Sequence, residues 1–158
     1  MNTPKIRAVG ILIKTDELLL IRRNEDGKEF WVLPGGGVEK NEKVEDAVIR
    51  EIEEEASIKC AVIKLLYTHQ YSDIKHQQFY YLCRYVSGTP QLGNFNEFQT
   101  MKNGNHVYEP TWVKIEKLPK MLIYPLEIRD WLVEDYKNNF KETPRTKILR
   151  TVNLRQKI

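Results

Sequence analysis

A run of three glycines, Gly35–Gly37, lies just before a segment that combines an apolar helical face with several glutamates. Adjacent glycines let the backbone take conformations closed to other residues and approach a ligand closely. The segment that follows, from about Lys43 to Ala56, has its apolar residues at helical spacing. The sequence therefore predicts a glycine-rich loop that leads into an amphipathic helix, an arrangement at which phosphate groups commonly bind.

Three glutamates of this predicted helix fall on or beside its apolar face when residues are projected at about 100° each. Glu51 and Glu55 project into the middle of that face and Glu54 projects to its edge. A carboxylate that faces a protein core is costly unless it is compensated, and Arg50 alone cannot balance three of them. The other acids project elsewhere and are interpreted as solvated: Glu42, Glu45, Asp46 and Glu53.

The spacing of Glu51, Glu54 and Glu55 predicts that their carboxylates converge on a bound cation. Ligands that are all oxygen suit Mg²⁺, with Mn²⁺ as an alternative. The two cysteines and three histidines show no such spacing and are interpreted as structural or solvent-exposed residues.

The remainder of the chain indicates one globular domain. Its 158 residues are 41% hydrophobic and 30% charged, which is ordinary for such a domain. The apolar stretches are too short to span a membrane and the N-terminus lacks signal-peptide features, so we expect a cytoplasmic protein that does not bind membranes. Helices are predicted at 43–56 and 124–140, and strands at 6–14, 18–23, 30–33, 61–71, 77–86 and 111–115. This mixture predicts an α/β (α+β) fold with a mixed sheet covered by helices.

The last 18 residues are basic. Residues 141–158 hold six basic residues and one acidic residue, a net charge of +5. This segment is interpreted as a basic C-terminal tail or a packing arm that follows a domain of residues 1–140. It has no aromatic residue for stacking on bases, so nucleic-acid binding is not expected. Its apolar residues could pack on the domain or across a homodimer, but we expect a protein that lacks residues 145–158 to fold.

The glycine run and the helix together resemble the signature of the Nudix hydrolases. That signature has a glycine, five residues, a glutamate, seven residues, then Arg-Glu, an aliphatic residue, any residue, Glu-Glu, any residue, glycine and an aliphatic residue. The stretch from Gly36 through Glu42 and Arg50 to Ile58 matches every specified position except Ser57, where the family has glycine. Flanking segments at 20–23, 31–36 and 109–113 are also similar, so the resemblance covers residues 6 to about 140.

The resemblance implies an α/β/α sandwich and assigns roles to residues of this chain. Glu51, Glu54, Glu55 and the carbonyl of Gly35 would bind Mg²⁺, and Arg50 would orient the glutamates. The resemblance also makes Glu42 a supporting residue at the start of the helix. Arg23, Gly36 and Gly37 would contact substrate. The general base would come from Glu54 or Glu55 or from a later segment, with Glu109 the first candidate there and Glu97 the second.

The implied reaction is hydrolysis of a diphosphate bond in a nucleoside diphosphate linked to another group, with water attacking phosphorus. The sequence leaves the nucleotide-like substrate open. A catalytically silent nucleotide-binding module on the same fold is the main alternative, and the intact glutamates argue against it. A diphosphate isomerase is a second alternative, but neither cysteine lies near the glycine run in sequence.

Overall fold

The computed structural model describes residues 5–91 and 106–150. Every helix and strand predicted from the sequence is present there with shifted ends, and the glycine run forms a short strand. No helix in the described ranges is long and apolar enough to span a membrane. The elements are β1 (Lys5–Lys14), β2 (Glu17–Glu25), β3 (Lys28–Val32), β4 (Gly35–Gly37), α1 (Val44–Ala56), β5 (Lys59–Tyr71), β6 (His76–Ser87), β7 (His106–Lys114), a 3₁₀ helix (Ile115–Lys120), β8 (Ile123–Tyr124), α2 (Leu126–Lys137) and β9 (Arg145–Leu149).

The described strands form one curled mixed sheet in the order β8-β3-β2-β1-β6-β5-β9, with β4 beside β1 and β7 beside β2. Strands β1 and β2 pair only near their turn, where Ile13 lies opposite Leu18. Further along, the edge of β1 pairs instead with β4, and Ala8 lies opposite Gly36. The glycine strand, β4, therefore pairs with the part of β1 that is no longer paired with β2.

The two helices cover opposite faces of the sheet, which confirms the predicted α/β/α sandwich. A β-carbon at Gly10 would lie 2.4 Å from Cδ1 of Ile52, so glycine at this position lets α1 pack directly on β1. The core under α1 contains Ala8, Leu12, Leu19, Ala47, Val48 and Ile52. The core under α2 contains Val9, Ile11, Leu18, Leu20, Tyr67, Val113, Ile128 and Leu132.

Helix α1 ends where the sequence departs from the family signature. Ser57 adopts the left-handed conformation, with φ 59° and ψ 35°, and its N–H donates to the carbonyl of Glu53 at 2.9 Å. Serine in place of glycine costs about 1 kcal/mol in this conformation. The substitution affects how the helix ends and removes no carboxylate from its inward face.

Part of the basic C-terminal segment belongs to the sheet. Strand β9 runs parallel to β5, with Arg145 opposite Tyr67 and Leu149 opposite Tyr71. Leu149 is buried, and Arg145 forms a salt bridge with Asp135, which is fully buried. These contacts indicate that β9 stabilises the domain, which bears on the expectation that a chain lacking residues 145–158 folds.

Candidate active site

The carboxylate of Glu51 occupies the space above the glycine strand. A β-carbon at Gly36 would lie 2.4 Å from Cδ and Oε1 of Glu51, so any larger residue there would displace the carboxylate. The Glu51 side chain is 13% exposed. Burial raises the pKa of Glu51, and the hydrogen bond from Arg50 opposes that rise. The fold therefore holds a partly desolvated carboxylate directly against a strand backbone.

Glu55 is attached to the same strand through the backbone. It is 4% exposed, and its Oε2 accepts a hydrogen bond from the N–H of Gly35 at 3.1 Å. A buried carboxylate is costly unless it is compensated, and this contact provides part of the compensation. The predicted ligand residues Gly35 and Glu55 are therefore brought together.

Arg50 connects the helix glutamates to the glycine strand. Its Nη1 donates to Oε1 of Glu51 at 2.9 Å and to Oε2 of Glu54 at 3.2 Å. Its Nη2 donates to the carbonyl of Gly37 at 3.0 Å. The hydrogen bonds that Arg50 donates to Glu42, and secondly the one to Glu51, raise the pKa of the guanidinium. The guanidinium is thus placed as expected for a residue that orients Glu51 and Glu54.

The interpretation of Glu42 as an ordinary solvated acid is wrong. Its side chain is 15% exposed, and its two oxygens accept hydrogen bonds from Nε and Nη2 of Arg50 at 2.8 and 3.0 Å. These bonds lower the pKa of Glu42 to about 2. Helix α1 begins at Val44, so Glu42 lies before the helix. The helical projection therefore could not predict which way the side chain of Glu42 points.

The three glutamates predicted to bind a cation make separate contacts in this structure. In residues 5–91 and 106–150, no group of three or more His, Cys, Asp or Glu side chains is arranged to hold a metal ion. The reason is that Glu55 turns to the backbone of Gly35 while Glu54, 46% exposed, turns to Arg50 at the surface.

The donors nevertheless fit a hard divalent cation in their chemistry. Arg50 pairs with four glutamates, Glu39, Glu42, Glu51 and Glu54, which leaves a formal charge of −3 before Glu55 is counted. All the acidic donors are oxygens, the ligand type that Mg²⁺ and Mn²⁺ prefer. The absence of a β-carbon at Gly36 lets the carboxylate of Glu51 lie directly against the strand.

Arg23 lies on the same face of the sheet as α1. Alternation along β2 places it on the side of Leu19, which packs under that helix. Its guanidinium lies 4.7 Å from the ring centre of Tyr108 and 5.6 Å from that of Phe30, and it pairs with Glu25. Its Nε is buried without a hydrogen-bond partner among the described residues. Arg23 therefore lies on the same face of the sheet as the glutamates of α1.

Strand alternation places Glu109, the first base candidate outside the signature, on the face of the sheet opposite α1. Alternation along β7 places it on the side of Val113, in the core under α2. It forms a salt bridge of 3.0 Å with Arg22. The sheet thus separates Glu109 from the glutamates of α1. The second candidate, Glu97, falls outside the described residues.

Sequence reasoning did not place Arg7 beside the glycine strand, although alternation along β1 turns its side chain to the face of Val9 and Ile11. It is exposed on β1, directly opposite Gly37 on one side and Gln78 on the other. Its positive charge lowers the pKa of Glu51, opposing the effect of burial. Only the strand pairing reveals this proximity, because Arg7 is 29 residues before Gly36 in sequence.

Comparison with known proteins gives a family match and several relatives. The model of the NUDIX domain matches residues 4–132. An RNA pyrophosphohydrolase of Pelagibacter ubique is 41% identical over 61 residues, 37% of this chain and 39% of that protein. An ADP-ribose pyrophosphatase of Methanocaldococcus jannaschii is 45% identical over 64 residues, 40% of this chain and 38% of that protein.

These two alignments thus span about two fifths of each relative. Among solved structures, a NUDIX hydrolase from Nitrosomonas europaea superposes with a TM-score of 0.72 at 18% identity. That superposition covers 95% of this chain and 80% of the other. At this identity, the likeness concerns the fold.

Proposed function

This chain belongs to the Nudix family, and we propose that it hydrolyses a diphosphate bond in a compound that joins a nucleoside diphosphate to another group. The observation that carries the proposal is the contact between α1 and β4, where Glu51 lies over Gly36 and Glu55 is bonded to Gly35. Two relatives named as a pyrophosphohydrolase and a pyrophosphatase support the reaction class. The reaction would release a nucleoside monophosphate and a phosphorylated partner.

Glu51, Glu54, Glu55 and the carbonyl of Gly35 would hold Mg²⁺ or Mn²⁺. When bound, the metal supplies positive charge that stabilises the diphosphate and the leaving phosphate. The protein contributes the positions of its carboxylates, because Arg50 holds Glu51 and Glu54 and the N–H of Gly35 holds Glu55. A cation is also the group that would compensate the buried negative charge.

Glu54 is our first choice for the residue that takes the proton from the attacking water. Its side chain is 46% exposed, so water can reach it, whereas Glu55 is 4% exposed and bonded to Gly35. Arg50 limits the movement of Glu54 through one hydrogen bond. Glu55 is the alternative base within the same helix.

Arg23, Gly36 and Gly37 would contact the phosphates of the substrate. The guanidinium of Arg23 is held between the rings of Phe30 and Tyr108 on the α1 side of the sheet, and its Nε lacks a partner among the described residues. An arginine held in this way loses little further freedom when it binds a phosphate. The small glycines let a phosphate approach the strand backbone.

The proposal is tested with a panel of nucleoside triphosphates, sugar nucleotides, ADP-ribose and dinucleoside polyphosphates. Each is incubated with the protein and Mg²⁺ or with a chelator, and the phosphate products are identified. Hydrolysis in ¹⁸O-labelled water should place the label on a phosphate of one product. Metal-dependent cleavage of at least one compound is expected. Cleavage that is equally fast with chelator would contradict the proposed use of metal.

A further inference from the structure

A row of rings and cations crosses four neighbouring strands of the sheet. Arg23 of β2 lies opposite Tyr108 of β7 on one side and opposite Phe30 of β3 on the other. Tyr124 of β8 continues the row, with its ring centre 5.7 Å from that of Phe30. Lys28 ends it, with Nζ 5.6 Å from the centre of the Tyr124 ring. Because neighbouring strands are about 4.8 Å apart, these five residues, the aromatic row, extend over about 15 Å.

The aromatic row lies on the same face of the sheet as the glutamates of α1. Leu19 packs under α1, and Arg23, four residues further along β2, points to the same side. Four residues of a strand span about 13 Å. Phe30 is five residues before Gly35, so these two residues lie at most about 18 Å apart. A substrate bound through its diphosphate at the glycine strand can therefore extend along this face to the row.

The rings of the row offer surface on which nucleobases can stack. Phe30, Tyr108 and Tyr124 are each half-buried, so part of every ring is accessible. Stacking of a base on an aromatic side chain is favourable for all four bases, because each has a π face. Three partly accessible rings spread over about 15 Å provide more ring surface than a single base can cover.

Positive charge accompanies the rings to the far end of the row. Arg23 pairs with Glu25, the acidic residue that shares its side of β2. Lys28 is exposed and forms no side-chain hydrogen bond or salt bridge within residues 5–91 and 106–150. It begins β3, about 13 Å from Val32, the residue at the end of β3 nearest the glycine strand. An anion that meets Lys28 is therefore a phosphate other than the ones that are cleaved.

This alternation of rings and cations distinguishes between two kinds of substrate that carry more than one base. A dinucleoside polyphosphate has all of its phosphates between its two nucleosides, where they would lie at the glutamates. A nucleotide chain has a further phosphate after each nucleoside. A free cation beyond the rings, at Lys28, therefore fits the nucleotide chain.

We propose that the aromatic row binds the first nucleotides of a single-stranded oligonucleotide whose 5′-triphosphate is hydrolysed at the glutamates. This inference rests on the proposed function, because it names the substrate class of the same site. The water oxygen joins a phosphorus of the triphosphate, one anhydride bond breaks, and the water proton passes to the general base. Pyrophosphate leaves, and the chain keeps a 5′-monophosphate. Nucleic acid was not expected at the C-terminal segment, which lacks aromatic residues, but the row supplies such residues elsewhere.

A comparison of a nucleotide with a short chain tests the inference. KM is measured for adenosine 5′-triphosphate and for 5′-triphosphorylated triadenylate in wild type, Tyr124→Leu, Lys28→Gln and Lys137→Gln. Lys137 is the matched control, since it is exposed on α2, which covers the other face of the sheet. Wild type and Lys137→Gln should show a KM about tenfold lower for the chain, and the two row variants should lose most of this ratio. A ratio near one in wild type, or equal ratios in Lys28→Gln and Lys137→Gln, overturns the inference.

Calorimetric binding of an oligoadenylate that lacks the triphosphate gives a readout that needs no turnover. Wild type should bind the single strand more tightly than adenosine 5′-monophosphate and more tightly than the same strand paired with its complement, because stacking on the row needs unpaired bases. Lys28→Gln should reduce the dependence of log Kd on log salt concentration by about 0.7 relative to Lys137→Gln.

These measurements separate the inference from the proposed function. If nothing is hydrolysed but the single strand binds with these preferences, the proposed function fails and the assignment of the aromatic row stands. If a diphosphate substrate is hydrolysed but wild type binds the oligoadenylate and the monophosphate equally, the proposed function stands and the inference is overturned. Tighter binding of the duplex than of the single strand also overturns it.

Discussion

The carboxylate of Glu51 lies so close above Gly36 that a β-carbon at position 36 would sit 2.4 Å from its Cδ. We predict that Gly36→Ala displaces this carboxylate and lowers turnover about 100-fold, the effect of a misplacement of about 1 Å in an active site. The end of the Glu51 side chain can move, so the melting temperature should change little. Turnover and thermal melts of the same preparation provide the measurement.

Gly37→Ala controls for the general effect of alanine in this strand. A β-carbon at Gly37 meets no atom within 4 Å, so its melting temperature should stay near that of wild type. Full turnover by Gly36→Ala would show that the position of Glu51 over the strand is irrelevant to the reaction.

Removing the charge of Glu51 should stabilise the metal-free protein. Burial raises its folded pKa, so at neutral pH the ionised carboxylate is less favourable in the folded than in the unfolded state. Glu51→Gln should therefore raise the melting temperature of the metal-free protein. Mg²⁺ should stabilise wild type more than the variant. Equal shifts with Mg²⁺ in thermal melts would show that Glu51 is not a ligand.

The pairing of Glu42 with Arg50 should make stability sensitive to acid. The folded pKa of Glu42 is about 2 and its ordinary value is 4.5, so the ionised form is favoured by folding. The stabilisation is therefore complete above pH 4.5 and is lost as the pH falls toward 2. Urea midpoints of wild type and Glu42→Gln should differ most at pH 6 and converge toward pH 2. A difference that does not depend on pH would mean that this pair does not contribute through charge.

The strand β9 should be required for stability. A chain that ends at residue 144 lacks Arg145 and leaves Asp135, which is fully buried, without its cationic partner. Loss of one partner of a buried pair costs about 3–5 kcal/mol, and the chain also loses the buried Leu149. Urea unfolding should show this loss, whereas deletion of residues 151–158 alone keeps both contacts. Wild-type stability in the shorter chain would identify β9 as dispensable.

The sequence was most informative where local spacing determines structure. The apolar spacing of α1 predicted that Glu51 and Glu55 face inward, and both are held against the glycine strand. The helix was also predicted to end at Ala56, and Ser57 follows it in the left-handed conformation. These features depend on residues close together in the chain, for which helical periodicity is a sufficient guide.

Features that depend on strand pairing could not be predicted in this way. Glu109 was chosen as a base candidate because it begins a segment that is similar to a flanking strand of the family. The alternation of side chains along β7 places it on the face of the sheet opposite α1. Arg7 is remote in sequence but reaches Gly37 through the pairing of β1 with β4. Register is determined by long-range packing, and a shift of one residue exchanges the two faces of a strand.

The most direct test of the central claim is the turnover of Glu54→Gln and Glu55→Gln on a verified diphosphate substrate with Mg²⁺. Each substitution keeps the size of the side chain and removes a negative oxygen ligand or base. Thermal melts should first show that both variants are folded. The account predicts that each variant loses about 10²–10⁴-fold in kcat. Near-normal kcat in both folded variants would contradict it, because the glutamates of α1 would then have no part in the reaction.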